Sequence, residues 1–136
     1  LRPAPADIGW TRDAFRDLLR IRHSSTLFRL RTAADIRKRL VFANTGPAQV
    51  PTVVAARIDG NGYEGANFRE LVYLINVDTK PQRVVVGGTS GKSFALHPVH
   101  LRPDAADTRP AALARFDPQA GEFSVPARTA LVFVRH

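Results

Sequence analysis

Two histidines three residues apart, in His97-Pro-Val-His100, are the first residues whose spacing suggests chemistry. On a helix that spacing places two imidazoles on one face, where they could hold a metal ion. Pro98 forbids a helix interior here and no third His or acid lies close by, so the pair reads as chance spacing and not as a metal site. Asp104 and Asp107 lack the alternating oxygens of a calcium loop and read as solvated surface. Gly91-Lys92-Ser93 has the letters of a phosphate loop. The four-residue spacing before it has no matching first glycine and a strand is expected after it, so Gly87-Gly-Thr-Ser-Gly91 reads as a hairpin turn. No Ser/His/acid set can be read from spacing. A sugar platform needs an exposed aromatic face flanked by amides and acids. Tyr63 with Asn61, Glu64 and Asn67 is the one such cluster on an expected loop, and these four are the candidate glucan-binding residues. The plainer reading of that loop has Tyr63 covering a sheet edge. Trp10 is expected to pack against whatever lies upstream.

The elements that would position these residues follow from periodicity. Leu1–Gly9, with Pro3 and Pro5, reads as an extended lead-in. A helix is expected from Thr11, with Thr11 as N-cap and Asp13 in the first turn, where a carboxylate favours the helix dipole. Ala14, Phe15, Leu18, Leu19 and Ile21 form its apolar stripe, and Arg12, Arg16 and Arg20 run along another face beside Asp13 and Asp17. The helix should stop near His23-Ser24-Ser25. Thr32-Ala-Ala-Asp35 resembles a capping box and predicts a short helix over 33–39. From there the period changes to two. Strands are expected at Arg39–Asn44, Thr52–Asp59, Glu70–Val77, Gln82–Val86, Ser93–Leu96, Leu113–Phe116, Glu122–Ser124 and Thr129–Val134. They are short, Val-rich and separated by Gly, Pro, Asn and Asp turns, which is the pattern of an antiparallel β-sandwich. The last run, apolar on both faces, suits a central strand.

A length of 136 residues fits one domain able to bury a core. There is no cysteine, which excludes disulfides and thiolate metal sites. No stretch approaches the roughly 20 apolar residues of a membrane helix, and no secretory signal pattern lies within the chain. The net charge of +8 is uneven: residues 1–39 hold ten basic and four acidic residues, so most of the excess lies in the helical region. Without aromatic-rich strands or a recognition helix beside it, that charge does not by itself make a nucleic-acid interface.

The run Phe15-Arg-Asp-Leu-Leu-Arg-Ile-Arg-His-Ser-Ser-Thr-Leu-Phe-Arg-Leu30 resembles the end of the catalytic barrel in bacterial pullulanase-type α-1,6-glucosidases of the α-amylase superfamily. There the last barrel helix runs into a Ser-Ser-Pro-Leu-Phe turn. Ile36-Arg-Lys-Arg-Leu-Val-Phe-Ala-Asn-Thr-Gly-Pro47 looks like the start of that family's C-terminal β-domain. Leu71–Val77 and Val125–Val132 look like two of its strands. Thr26 departs from the family's usual proline, which would loosen the turn. The resemblance implies a division at residue 31, with 1–31 ending a barrel and 32–136 forming the C-terminal β-sandwich. It implies a glycoside hydrolase whose nucleophile, acid/base and third carboxylate lie upstream. This stretch would then carry no catalytic residue and need no cofactor.

The expected role is to brace the barrel, with Phe15, Leu18 and Leu19 docking on it. An α-glucan is the other expected partner, and neither nucleic acid nor membrane contact is expected. A secreted or cell-surface bacterial enzyme is implied, with a cytoplasmic one as the alternative. Two other readings of the residues stay open: a carbohydrate-binding module built on Tyr63, and a basic nucleic-acid-binding domain using the Arg12/Arg16/Arg20 face.

Overall fold

The structure, a computed structural model, describes residues 2–136. In chain order it comprises helix α1 (Pro5–His23), a 3-10 turn (Thr26–Arg29), helix α2 (Ala33–Arg39) and strands β1 (Leu40–Ala43), β2 (Val53–Asp59), β3 (Glu70–Asn76), β4 (Gln82–Val85) and β5 (Ala95–Leu96). A second 3-10 turn (Pro98–Leu101), helix α3 (Arg109–Leu113), and strands β6 (Arg115–Asp117), β7 (Glu122–Val125) and β8 (Thr129–Arg135) follow. All strand pairs are antiparallel, in one sheet ordered β1-β2-β3-β8-β5 and another ordered β4-β7-β6. The fold is the expected mainly β, eight-stranded antiparallel sandwich with a helix in front.

Alternation along the strands builds two cores. Val53, Ala55, Val72, Leu74, Leu131 and Phe133 face the small sheet and meet Val84, Phe123 and Val125. On the other side of the same strands, Ile58, Leu71, Val132 and Val134 pack on Ile21 of α1, Leu27 of the first 3-10 turn, and Ala66 and Phe68 of the loop before β3. β8 lies between β3 and β5, and five of its seven residues are buried, so the strand that reads as apolar on both faces is interior.

Three expectations need correction. The lead-in is not extended: α1 starts at Pro5, whose fixed φ and missing N–H suit the first helical position, and Asp7 accepts the N–H of Ala4 at 3.2 Å. Thr11 therefore lies inside the helix, with its hydroxyl donating to the Asp7 carbonyl at 2.8 Å. Gly87–Gly91 is a turn but not a hairpin turn, because β4 pairs with β7 and β5 with β8, so the chain there crosses between sheets. Residues 109–113 form α3 where the expected strand would begin; Pro110 at its start suits a helical first turn. The short helix at 33–39 forms as expected, with the Thr32 hydroxyl accepting from the Asp35 N–H at 3.0 Å.

One buried carboxylate ties the large sheet to its flanking loop. Glu70 accepts from Arg57 at 2.7 Å, from Lys92 at 2.8 and 2.9 Å, and from Arg135 at 3.0 Å. Burial pushes its carboxyl up, but the bonds from Lys92 and Arg57 outweigh that and hold it below the usual carboxylate range. Its stabilisation is therefore complete above the ordinary glutamate pKa and is lost as pH falls through the depressed value. Glu70→Gln leaves three cations facing a neutral amide and is expected to cost about 3 kcal/mol in urea unfolding at pH 7. An unchanged midpoint would contradict this account of the cluster.

Candidate functional site

The apolar residues of α1 divide into two rows. At about 100° per residue, Ala14 and Ile21 turn toward the sheet, Ile8, Phe15 and Leu19 turn away from it, and Leu18 stands at the border, roughly 60° from Ile21. Ile21 is 3% exposed, whereas Ile8, Phe15, Leu18 and Leu19 are 58%, 61%, 41% and 47% exposed. The single stripe expected from the sequence is thus only half used inside this chain. Ile8 joins the unused half; its signal was Pro5 followed by Asp7, a helix start hidden in a proline-containing lead-in.

Beside that row the outer face of the large sheet is incompletely covered. A groove of about 540 Å³ opens between α1, the Thr26–Arg29 turn, α2 and the sheet, with Leu18, Phe28, Leu30, Ile36, Tyr73 and Ile75 among its lining. Tyr73 is half-buried there, and burial pushes its phenol up. Phe42 on the edge strand β1 is 55% exposed and shares this face, since it pairs with Ala56 across the ladder. Monomeric proteins keep such contiguous apolar patches small unless something covers them.

The open row keeps its direction because the other side of α1 is pinned by polar groups. Buried Asp17 accepts the Ala106 N–H at 2.9 Å and Arg20 at 2.7 Å. Ser24 donates to the Ile21 carbonyl at 2.7 Å and lies 3.0 Å from His97 Nε2. The Val99 N–H donates to His97 Nδ1 at 3.2 Å, so Nε2 carries the proton and donates to the Ser24 hydroxyl. His100 Nε2 accepts the Val132 N–H of β8 at 3.2 Å. The two histidines bolt the end of α1 to the central strand as neutral rings.

The Ser24–Arg29 corner is held by the 60–67 loop. Buried Ser25 donates to the Ala66 carbonyl and accepts the Leu27 N–H. Thr26 donates its N–H to the Gly65 carbonyl at 3.0 Å and its hydroxyl to the Glu64 carbonyl at 2.6 Å. The departure from proline therefore tightens this corner, because proline could make neither bond. Gly65 (φ +70°) approaches so closely that a Cβ there would lie 2.8 Å from the Thr26 methyl.

The four candidate glucan-binding residues lie in this loop with structural partners of their own. The Arg39 guanidinium stands 4.6 Å over the Tyr63 ring, and the Tyr63 hydroxyl accepts the Arg31 N–H at 3.4 Å. The Asn61 carbonyl accepts from Arg39 at 2.9 Å, and the Asn67 amide donates to the Ser24 carbonyl at 2.7 Å. Glu64 contributes its backbone carbonyl to Thr26, and its side chain is exposed. Among the described residues, no group of three or more His, Cys, Asp or Glu could hold a metal ion. Nor is any described helix long and apolar enough to cross a membrane.

The family model for "Alpha-1,6-glucosidases, pullulanase-type, C-terminal" matches residues 1–136. The chain belongs to this family. It is 33% identical over 141 residues to the chloroplastic pullulanase 1 of Arabidopsis thaliana, covering 98% of this chain and 14% of that protein. An apo pullulanase crystal structure from Klebsiella pneumoniae superposes with a TM-score of 0.80 at 25% identity, over 97% of this chain and 14% of that one. PulA from Klebsiella oxytoca has the same fold, with a TM-score of 0.80 at 21% identity over 97% of this chain and 12% of that one. This pullulanase-type domain thus spans about one-seventh of the length of these relatives.

Burial is the main cause that holds both histidines of the bolt at a pKa of about 4. His100 and His136 add repulsion at His97; Asp107 and Asp17 pull His100 the other way without restoring it. The unfolded chain takes up these protons near pH 6.5 and the folded chain only near pH 4, so acid favours unfolding across that window. Stability should fall on acidification from 6.5 to 4, by up to about 1.4 kcal/mol per pH unit for each histidine, and be flat with respect to them above 6.5. His100→Gln should flatten the slope by about half; a slope of zero in urea unfolding of the native sequence would contradict the assignment.

Proposed function

We propose that this domain is a non-catalytic brace of a pullulanase-like debranching enzyme that hydrolyses α-1,6 branch points in starch, glycogen or pullulan. Residues 1–31 end the catalytic barrel in this reading, residues 32–136 form the β-sandwich behind it, and the exposed row of α1 with the adjoining groove meets the barrel. The observation that carries it is the division of α1: one side is bolted to the sheet while Ile8, Phe15, Leu18 and Leu19 stand uncovered. Membership of a C-terminal family, and the small share of its relatives that the chain spans, support an upstream body as the cover.

Chemistry is consistent with that division of labour. Retaining glycoside hydrolysis needs two carboxyls about 5 Å apart on a rigid frame. Five of the twelve carboxylates are committed to other work: Glu70 to three cations, Asp17 to the loop at Ala106, and Asp13, Asp104 and Asp107 to arginines. The reacting carboxylates belong to the barrel in this account.

Covering the four side chains removes on the order of 400 Å² of apolar surface, worth roughly 10 kcal/mol at about 25 cal/mol/Å² before ordering entropy is subtracted. Placing a charge in that contact should be costly. Phe15→Asp or Leu18→Asp in the full-length enzyme should lower its melting temperature by several degrees, while Phe15→Asp in the 136-residue chain, where that side chain is 61% exposed, should have little effect. Equal melting temperatures for variant and parent full-length enzymes would overturn the bracing role.

A further inference from the structure

The side of α1 opposite the docking row carries a second feature, built around the one tryptophan of the chain. Trp10 is 46% exposed, and its indole N–H donates to the Ala106 carbonyl at 2.9 Å, which fixes the ring against the 102–107 loop. A cleft of about 340 Å³ runs from Trp10 between the helix and that loop, walled by Asp13, Arg16, Asp17, Arg20 and Asp104. Asp17 is its buried anchor, held by Arg20 and the Ala106 N–H. Its rims are planar forks: Arg12 on Asp13 at 2.9 and 3.0 Å, and Arg102 on Asp104 at 2.8 Å through both oxygens.

We propose that this cleft is a surface binding site for an α-glucan chain, with Trp10 as its stacking platform. The proposal rests on the reading of the domain as part of a debranching enzyme and names a second place where that enzyme would hold its polymer. A pyranose ring has an apolar C–H face and a rim of hydroxyls that both donate and accept. The cleft offers the complement: an aromatic surface at one end, and guanidinium donors alternating with carboxylate acceptors along its walls. A bare row of arginines would select phosphates. Here Arg12 and Arg16 are paired with Asp13, Arg20 with Asp17, and Arg102 with Asp104, which suits a neutral polyol. Trp10, Asp13, Asp17 and Arg20 lie roughly 140–160° around the helix from the centre of the docking row, so covering that row leaves the body of the cleft open.

The test is native affinity electrophoresis of the full-length enzyme through gels containing amylopectin. Trp10→Ala should raise the apparent dissociation constant about tenfold. Arg16→Ala, which touches only the exposed pair with Asp13, should raise it by a smaller factor and guards against misfolding of the first variant. Melting temperatures close to the parent's accompany both expectations. Retardation of both variants equal to the parent's overturns the site, and so does a parent enzyme that is not retarded at all. Hydrolysis of a short α-1,6-branched oligosaccharide by the parent enzyme separates the two readings. If it is cleaved while retardation is unaffected by the variants, the surface site fails and the debranching role stands. If it is not cleaved, the debranching role fails and takes the site with it.

Discussion

The structure depends on strands β3 and β8 being apolar on both faces. A strand of that kind needs a cover on each side. On one side the small sheet supplies it, through Phe123, Val84 and Val125. On the other side the described residues offer one row of α1, the two 3-10 turns and a loop, and they seal Leu71, Val132 and Val134 while leaving Tyr73 half-buried and Ile75 39% exposed. The groove and the bare row of α1 follow from this shortage of cover.

What makes the shortage directional is the stiffness of the α1 attachment. A helix held only by Ile21 could roll on the sheet and bury its own outer row. Asp17 and Ser25 prevent that, because each bonds a distant backbone group, the Ala106 N–H and the Ala66 carbonyl, that rolling would leave unpaired; His97 ties Ser24 at the helix end to the Pro98–Leu101 turn, which His100 fastens to β8. The helix therefore presents Phe15, Leu18 and Leu19 on one side and the Trp10 cleft on the other. The residues that do this work are polar, and most of them bond to groups more than forty positions away in the sequence.

That range explains what the sequence made legible. Period-two runs located most of the strands, and Thr32 with Asp35 located α2, because those signals act within a few residues. The resemblance carried by Phe15–Leu30 and Ile36–Pro47 agreed with the family match over the whole chain. Two prolines concealed the start of α1, since the same residue serves an extended lead-in and a first helical turn. The turn at Gly87–Gly91 looked like a hairpin because sheet membership is decided by pairing with distant β7 and β8. His97 and His100 read as idle, and only their contacts with Ser24 and Val132 give them a role. The division of one apolar stripe into a used and an unused row was likewise invisible until the partner surface was known.

The central claim is that the outer row of α1 is covered by the rest of the enzyme. Carbene footprinting of Ile8, Phe15, Leu18 and Leu19 in the 136-residue chain and in the full-length protein tests it most directly. The account predicts strong labelling of all four in the isolated chain and strong protection in the full-length protein, with Val85 and Leu113, which stand 58% and 60% exposed away from this face, labelled alike in both. Equal labelling of the four residues in the two samples would contradict it.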